Sequence, residues 1–139
     1  MPQYHCFVQR DRWSADQKAA LAEAITSVHC EVTGAPRHFV HMIFHHMPKK
    51  DWFTAGAASR FSIVNAYIRS GRTDQQKAEL MSQISRRWSE VTGQSERELV
   101  ITLTDVRPEH WMEAGRMMPQ PGEEKEWFER LSAAARDSQ

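Results

Sequence analysis

Gln17-Lys18-Ala19-Ala20-Leu21 recurs as Gln76-Lys77-Ala78-Glu79-Leu80, and Glu31-Val32-Thr33-Gly34 recurs as Glu90-Val91-Thr92-Gly93. Both repeats keep one offset of 59 residues (17 to 76, 31 to 90), with Ile25 and Ile84 in register between them. A common offset across separate matches marks two copies of one unit. Two copies are too few for a solenoid, so the reading is a duplicated supersecondary motif.

Each copy opens with a strand-like run, 4–9 in the first and 61–68 in the second. A helix follows. Ser14 and Thr73 are suited to cap it, because a short hydroxyl side chain can take up a free N–H of the first turn. Leu21, Ile25, Val28 and Val32 recur at helical spacing, as do Leu80, Ile84, Trp88 and Val91. Gly34 and Gly93 stand where a helix end adopts a left-handed residue. A second strand closes each copy, at 39–44 and 99–104. Parallel strands joined by a helix make a right-handed β-α-β unit.

The predicted fold is therefore α/β (α+β): a tandem β-α-β duplication forming a four-stranded sheet with two helices on one face. The halves cover about 2–45 and 61–105 of a single domain spanning 1–139. Residues 48–59 read as a loop or short helix between the halves. A C-terminal helical segment covers 108–136: a short helix at 108–116, a stiff Pro119-Gln120-Pro121-Gly122 turn, and a helix at about 124–135. The second sheet face would carry some of Phe7, Val40, Met42, Ile43, Phe44, Val64 and Ile101. An uncovered apolar face predicts association with other subunits.

Eighteen basic residues balance eighteen acidic ones, so no basic field would draw in nucleic acid or an anionic membrane. No apolar run approaches the roughly 20 residues of a membrane span, and no secretory leader is apparent. Two cysteines, Cys6 and Cys30, are too few for a disulfide framework. The expectation is a soluble cytoplasmic protein with reduced thiols.

Pro2 follows Met1 directly. Initiator methionine is normally removed before a small residue, which would leave Pro2 as a free secondary amine. An α-amino group ordinarily titrates at about 7.7–8.0, within reach of working pH.

An N-terminal proline opening the first strand of a duplicated β-α-β unit resembles the tautomerase superfamily, in particular the branch named for cis-3-chloroacrylic acid dehalogenase. The resemblance includes Ala24-Ile25-Thr26 followed by His29, Arg69-x-Gly71-Arg72, and Glu113-x-Gly115-Arg116-x-x-Pro119-Gln120-Pro121-Gly122 followed by Glu126-Trp127-Phe128. It implies a homotrimer with one site per subunit and no metal or organic cofactor. It also implies the roles of five residues: Pro2 as acid or base, His29 on the helix as a hydrogen-bond donor, Arg69 and Arg72 as carboxylate ligands, and Glu113 directing water. One position departs. The family dehalogenase carries a tyrosine on the last strand, about where this chain has Leu103 between Thr102 and Thr104.

These residue types suit small carboxylates. Arginine's planar fork binds a carboxylate bidentately. In enol–keto tautomerisation Pro2 must be neutral, and nearby arginines disfavour its cation. In hydration of a 3-halo-acrylate Pro2 must be protonated while Glu113 activates water. The missing tyrosine favours tautomerisation, with hydrolytic dehalogenation secondary. The alternative reading is a trimeric protein-binding module with a vestigial site. Retention of all five residues together favours the enzyme.

His38, His41, His45 and His46 form a histidine-rich stretch in which His41 and His45 share a strand face, and edge or interface roles are expected rather than a metal site. The cysteines are expected to pack as small apolar groups. Trp111, Met112, Met117 and Met118 are expected at a pocket wall or subunit contact. The tail at 133–139 is expected to fray.

Overall fold

The computed structural model describes residues 2–137. The proposed loss of Met1 and the last two residues of the tail lie outside the described residues. Strand β1 (Gln3–Gln9) leads into helix α1 (Ala15–Thr33) and strand β2 (His41–Met47). A short hairpin, β3 (Phe53–Thr54) and β4 (Ala57–Ala58), precedes β5 (Ser62–Arg69), helix α2 (Asp74–Thr92) and β6 (Leu99–Val106). A second hairpin, β7 (Met112–Glu113) and β8 (Arg116–Met117), precedes helix α3 (Glu124–Asp137).

The four long strands form one sheet in the order β2-β1-β5-β6. β1 and β2 are parallel, as are β5 and β6, while the central pair β1 and β5 is antiparallel. Tyr4 stands opposite Ala66 and Cys6 opposite Val64. The burial alternation makes Tyr4, Cys6 and Val8 the counterparts of Val64, Ala66 and Ile68. Each strand thus meets the counterpart of its own sequence, the self-complementary contact that a two-fold axis produces. Here the two-fold lies within one chain.

The helix caps form as expected. Ser14 accepts from Gln17 N–H and Thr73 from Gln76 N–H, and each glutamine side chain accepts from the cap's own N–H, so both helices open on a capping box. Gly34 and Gly93 close them at φ 74° and 73°. Leu21, Ile25, Val28, Leu80, Ile84 and Trp88 then lock onto the covered sheet face formed by Tyr4, Cys6, Val8, Val64, Ala66 and Ile68.

Several boundaries differ from the sequence reading. The second strand begins at His41 because Arg37–Phe39 forms a 3-10 turn, which buries Phe39. His38 consequently leaves the histidine-rich strand. The expected short helix at 108–116 is a 3-10 turn, Pro108–His110, followed by a hairpin. Its two-residue turn, Ala114-Gly115, has positive φ at both positions (51° and 73°), which a helix does not tolerate. The first hairpin turns the same way through Ala55-Gly56. Trp52-x-x-Ala55-Gly56 and Trp111-x-x-Ala114-Gly115 repeat at the same 59-residue offset, so the duplication includes the hairpins. The tail expected to fray at 133–139 is helical through Asp137.

The open face is also redistributed. Of the residues expected on it, only Phe7 and Ile43 fall there. Val64 is buried on the helix side, and Val40, Met42, Phe44 and Ile101 pack against that core. The open face instead alternates through Gln3, His5, Phe7, Ile43, His45, Ile63, Asn65, Tyr67, Val100, Thr102 and Thr104. Among the described residues no helix is long and apolar enough to cross a membrane.

Candidate active site

The antiparallel centre of the sheet brings the start of β1 beside the end of β5, since Gln3 pairs with Tyr67. The parallel outer pairs add the start of β2 and the end of β6 to the same rim, through Gln3 with His41 and Arg69 with Val106. Four chain segments that are remote in sequence therefore converge at Pro2.

Pro2 is buried. Its carbonyl accepts from His41 N–H at 2.9 Å. Two positions along the same strand face, Tyr4 is fully buried, and its hydroxyl lies 2.6 Å from His29 Nδ1. His29 projects from the buried face of α1, four residues after Ile25, and is 2% exposed. Burial, followed by the charges of Arg72 and Arg69, lowers its pKa from 6.5 to about 3. The imidazole is neutral at any working pH.

Arg69 ends β5 with its side chain 1% exposed. Its Nη1 donates to Pro119 O at 2.7 Å and its Nη2 to Glu124 Oε1 at 2.6 Å. The Gly122 N–H donates to the other carboxylate oxygen at 2.9 Å. Burial works to raise the Glu124 pKa, but hydrogen bonds from Arg69 and the main chain, with the Arg69 charge, leave it below the ordinary carboxylate value. Arg69 thus ties the sheet rim to the Pro119–Gly122 turn and the start of α3. Its guanidinium also lies over the Phe39 ring at 5.5 Å, against the cluster of Phe39, Met118, Trp127 and Phe128.

Arg72 is different. Its Nη1 is buried and has no hydrogen-bond partner among the described residues. Burial and the Arg69 charge lower its pKa, while Glu124 and Asp105 act in the opposite sense. The link that delivers it, Ser70-Gly71-Arg72, is one residue shorter before the helix cap than its counterpart at 10–13. Gly71 makes that tight path possible. Its φ is 109°, and a Cβ there would meet Pro121 Cγ at 3.4 Å.

Glu113 approaches from the other side. It sits in the second hairpin, 3.7 Å from His41 Nε2, with its carboxylate partly open to solvent. Gln3, His41, Met42, Ile43, Trp111, Met112 and Glu113 line an open cavity of about 390 Å³ there. The five predicted residues thus fall into two groups flanking the start of β1. On the helix side the charges of Arg72 and Arg69 act on His29, and the charge of Arg69 acts on Arg72. Glu113 approaches Pro2's strand beside His41, whose main-chain N–H bonds to Pro2 O and whose ring lies 3.7 Å from the carboxylate. Leu103, near the position of the family tyrosine, packs against the helix-side core, whereas Thr102 and Thr104 face the open side.

The duplicated counterpart of this rim carries different residues. Trp88 occupies the position of His29, 59 residues on, and donates its Nε1–H to Gln94 Oε1 at 2.9 Å. The Gln94 amide in turn donates to the carbonyls of Arg60 and Glu98 at 3.0 and 3.1 Å. His29, Arg69, Arg72 and Glu113 thus gather at one end of the sheet, and the duplicated position of His29 at the other end holds a tryptophan. Tyr4 and Glu124 were not singled out from sequence. Tyr4 shares Pro2's side of an alternating strand, which is a legible signal. Glu124 meets Arg69 only through the fold.

This architecture is that of the tautomerase superfamily. N1, a member of the cis-3-chloroacrylic acid dehalogenase family, superimposes with a TM-score of 0.91 at 29% identity, over 98% of this chain and 96% of N1. A fused 4-OT symmetric trimer matches with a TM-score of 0.77 at 21% identity, over 84% and 94% of the two chains, a likeness of fold. The 2-hydroxymuconate tautomerase of Bacillus subtilis (strain 168) is 33% identical over 55 residues, which is 40% of this chain and 89% of that enzyme. A relative that matches nearly whole over less than half of this chain fits a one-copy form of the duplicated unit. Residues 1–131 match the family described as putative oxalocrotonate tautomerase enzyme, and the chain belongs to that family.

Proposed function

We propose that this protein is a cofactor-independent tautomerase in which Pro2, its amine freed by loss of Met1, moves a proton on small 2-oxo, enol or unsaturated carboxylates. The observation that carries this reading is the buried, unpartnered Nη1 of Arg72 beside a neutral His29. An unpaired buried donor on a cation is costly unless an anion completes it. A substrate carboxylate supplies both the charge and the acceptor. Arg69 serves the same pocket with its charge and by holding the Pro119–Gly122 turn, since both its terminal nitrogens are already engaged.

In this reading the two arginines keep the Pro2 amine neutral, as a proton acceptor must be. The base takes a proton from the enol hydroxyl or the carbon next to the carbonyl and returns one at the other end of the conjugated system. His29 donates a hydrogen bond to the oxygen on which charge develops. A second reaction, hydration of a 3-halo-acrylate with loss of halide, draws support from Glu113, whose partly exposed carboxylate stands across His41 from the start of β1. There the carboxylate deprotonates water that attacks the halogen-bearing carbon, and protonated Pro2 supplies the proton to the neighbouring carbon.

The open sheet face, with Ile43 and Val100 each 42% exposed, is proposed to be covered by two further copies in a homotrimer. Related fused 4-OT structures include symmetric and asymmetric trimers.

Ketonisation of phenylenolpyruvate by protein confirmed as Met1-free by intact mass tests the first reaction. Pro2→Ala should lose about 10²–10⁴-fold in kcat/KM. Equal activity in that variant, or turnover by protein that keeps Met1, would overturn the role of Pro2. A proton NMR time course with cis-3-chloroacrylate tests the second. Malonate semialdehyde should appear, and its formation should stop in Glu113→Gln.

A further inference from the structure

The hydroxyl of Tyr4 and Nδ1 of His29 form a buried pair at 2.6 Å, with the rings edge to face at a centroid distance of 5.7 Å. We propose that Tyr4 is a positioning residue: it donates to Nδ1 and so locks His29 in the tautomer that carries its proton on Nε2. The inference deepens the tautomerase reading above, because it assigns His29 the role of a fixed hydrogen-bond donor and withholds from it the role of a base.

Two donation patterns are possible for this pair, and the surroundings separate them. If Nδ1–H donated to the hydroxyl, the phenol proton would need an acceptor elsewhere. The Tyr4 hydroxyl makes no other side-chain or main-chain hydrogen bond among the described residues, so that proton would be buried and unpaired, at a substantial cost. If the hydroxyl donates to Nδ1, both polar atoms are satisfied by one bond.

The charged and titratable neighbours hold the arrangement in place. From α1, Cys30 acts on the phenol, and from β1, Cys6 does. Both add to the effect of burial in raising the Tyr4 pKa well above its ordinary value, so Tyr4 keeps its proton. From the end of β5 and the following link, Arg69 and Arg72 oppose a second proton on the imidazole. A neutral His29 with Nε2–H is thus pre-oriented, and a bound carboxylate or enolate oxygen can accept from it without reorganisation. The lock also keeps a bare imidazole nitrogen away from the substrate, leaving proton abstraction to Pro2.

The test is ¹⁵N NMR of the histidine side chains in the Met1-free full chain, combined with kinetics of Tyr4→Phe. In the parent protein, His29 should show a protonated Nε2 and an unprotonated Nδ1, unchanged from pH 8 to pH 5. Tyr4→Phe keeps the ring contact and removes the donor. His29 should then show a mixture of tautomers. Activity on phenylenolpyruvate should fall on the order of tenfold in kcat. In a His29→Gln background the same substitution should cost less than about twofold, because a residue that acts through another has no effect once its partner is gone.

A parent spectrum with hydrogen on Nδ1, or a Tyr4→Phe spectrum identical to the parent, would overturn the lock. Because the spectra need no turnover, they judge it separately from the activity. An inactive parent with the expected tautomer would sink the tautomerase reading and leave the lock standing. Should Tyr4→Phe unfold, the tautomer and titration of His29 in the parent alone still decide the matter.

Discussion

Replacing Glu124 with glutamine should expose how completely Arg69 is committed to the fold. The Arg69 side chain is 1% exposed and that of Glu124 13%, and their contact at 2.6 Å is accompanied by the Arg69 bond to Pro119 O. The carboxylate accepts on both oxygens, from Arg69 and from Gly122 N–H. Glutamine has one acceptor, so one of these donors is left facing an NH₂ group. The guanidinium also loses its counter-charge while remaining buried. Breaking one half of a buried pair costs about 3–5 kcal/mol. The Pro119 carbonyl still solvates one nitrogen and Glu124 is not wholly enclosed, so about 3 kcal/mol is expected. For a domain of this size that corresponds to a fall of about 10 °C in Tm. Urea unfolding followed by tryptophan fluorescence, at fixed protomer concentration, measures it. The paired change Arg69→Met with Glu124→Met should recover most of the loss, because no unpaired charge remains. A cost below about 1 kcal/mol for Glu124→Gln would refute the reasoning. It would mean that the guanidinium is solvated without Glu124 and is free to act mainly as a substrate ligand.

Acid should weaken the fold through His29. Its pKa of about 3 lies below the ordinary 6.5, so the stability it contributes is fully present above pH 6.5 and is lost as pH falls. Between pH 6.5 and pH 5 the loss should reach ~2 kcal/mol, at 1.36 kcal/mol per unit. Urea midpoints across that window should show this slope in the parent and a shallower one in His29→Gln, and equal slopes would contradict a buried neutral imidazole. Lysines on the open face, Ile43→Lys with Val100→Lys, should convert a sedimenting trimer to monomer while far-UV circular dichroism keeps the helical signal. A variant that still sediments as the parent does would place the subunit contact elsewhere.

The local units are legible from the order of residues alone. Ser14, Thr73, Gly34 and Gly93 act within a few residues of their positions, and the apolar spacing of Leu21-Ile25-Val28 and Leu80-Ile84-Trp88 needs only helical geometry. The repeats at a fixed offset were enough to pair these units into a duplicated fold, and the signature residues gave the family. The hairpins carried the same offset in Trp52 and Trp111, but a two-residue turn with positive φ is a weak signal when it passes through alanine.

Which way each strand faces is set by how the chain packs as a whole. The first connection is one residue longer than the second, so the strand counterparts stand 60 residues apart while the helices stand 59. A single residue inverts the face of every side chain on a strand. That shift sends Val64 to the core and Ile63 to the open side, and it brings Arg72 inward over Gly71. The roles of the arginines likewise rest on contacts that no local pattern encodes. Arg69 meets Glu124 across 55 residues of sequence, and Arg72 is left with a buried nitrogen unpaired. Local spacing fixes what a segment is. Only the folded chain brings a distant charge near enough to claim one arginine and spare the other.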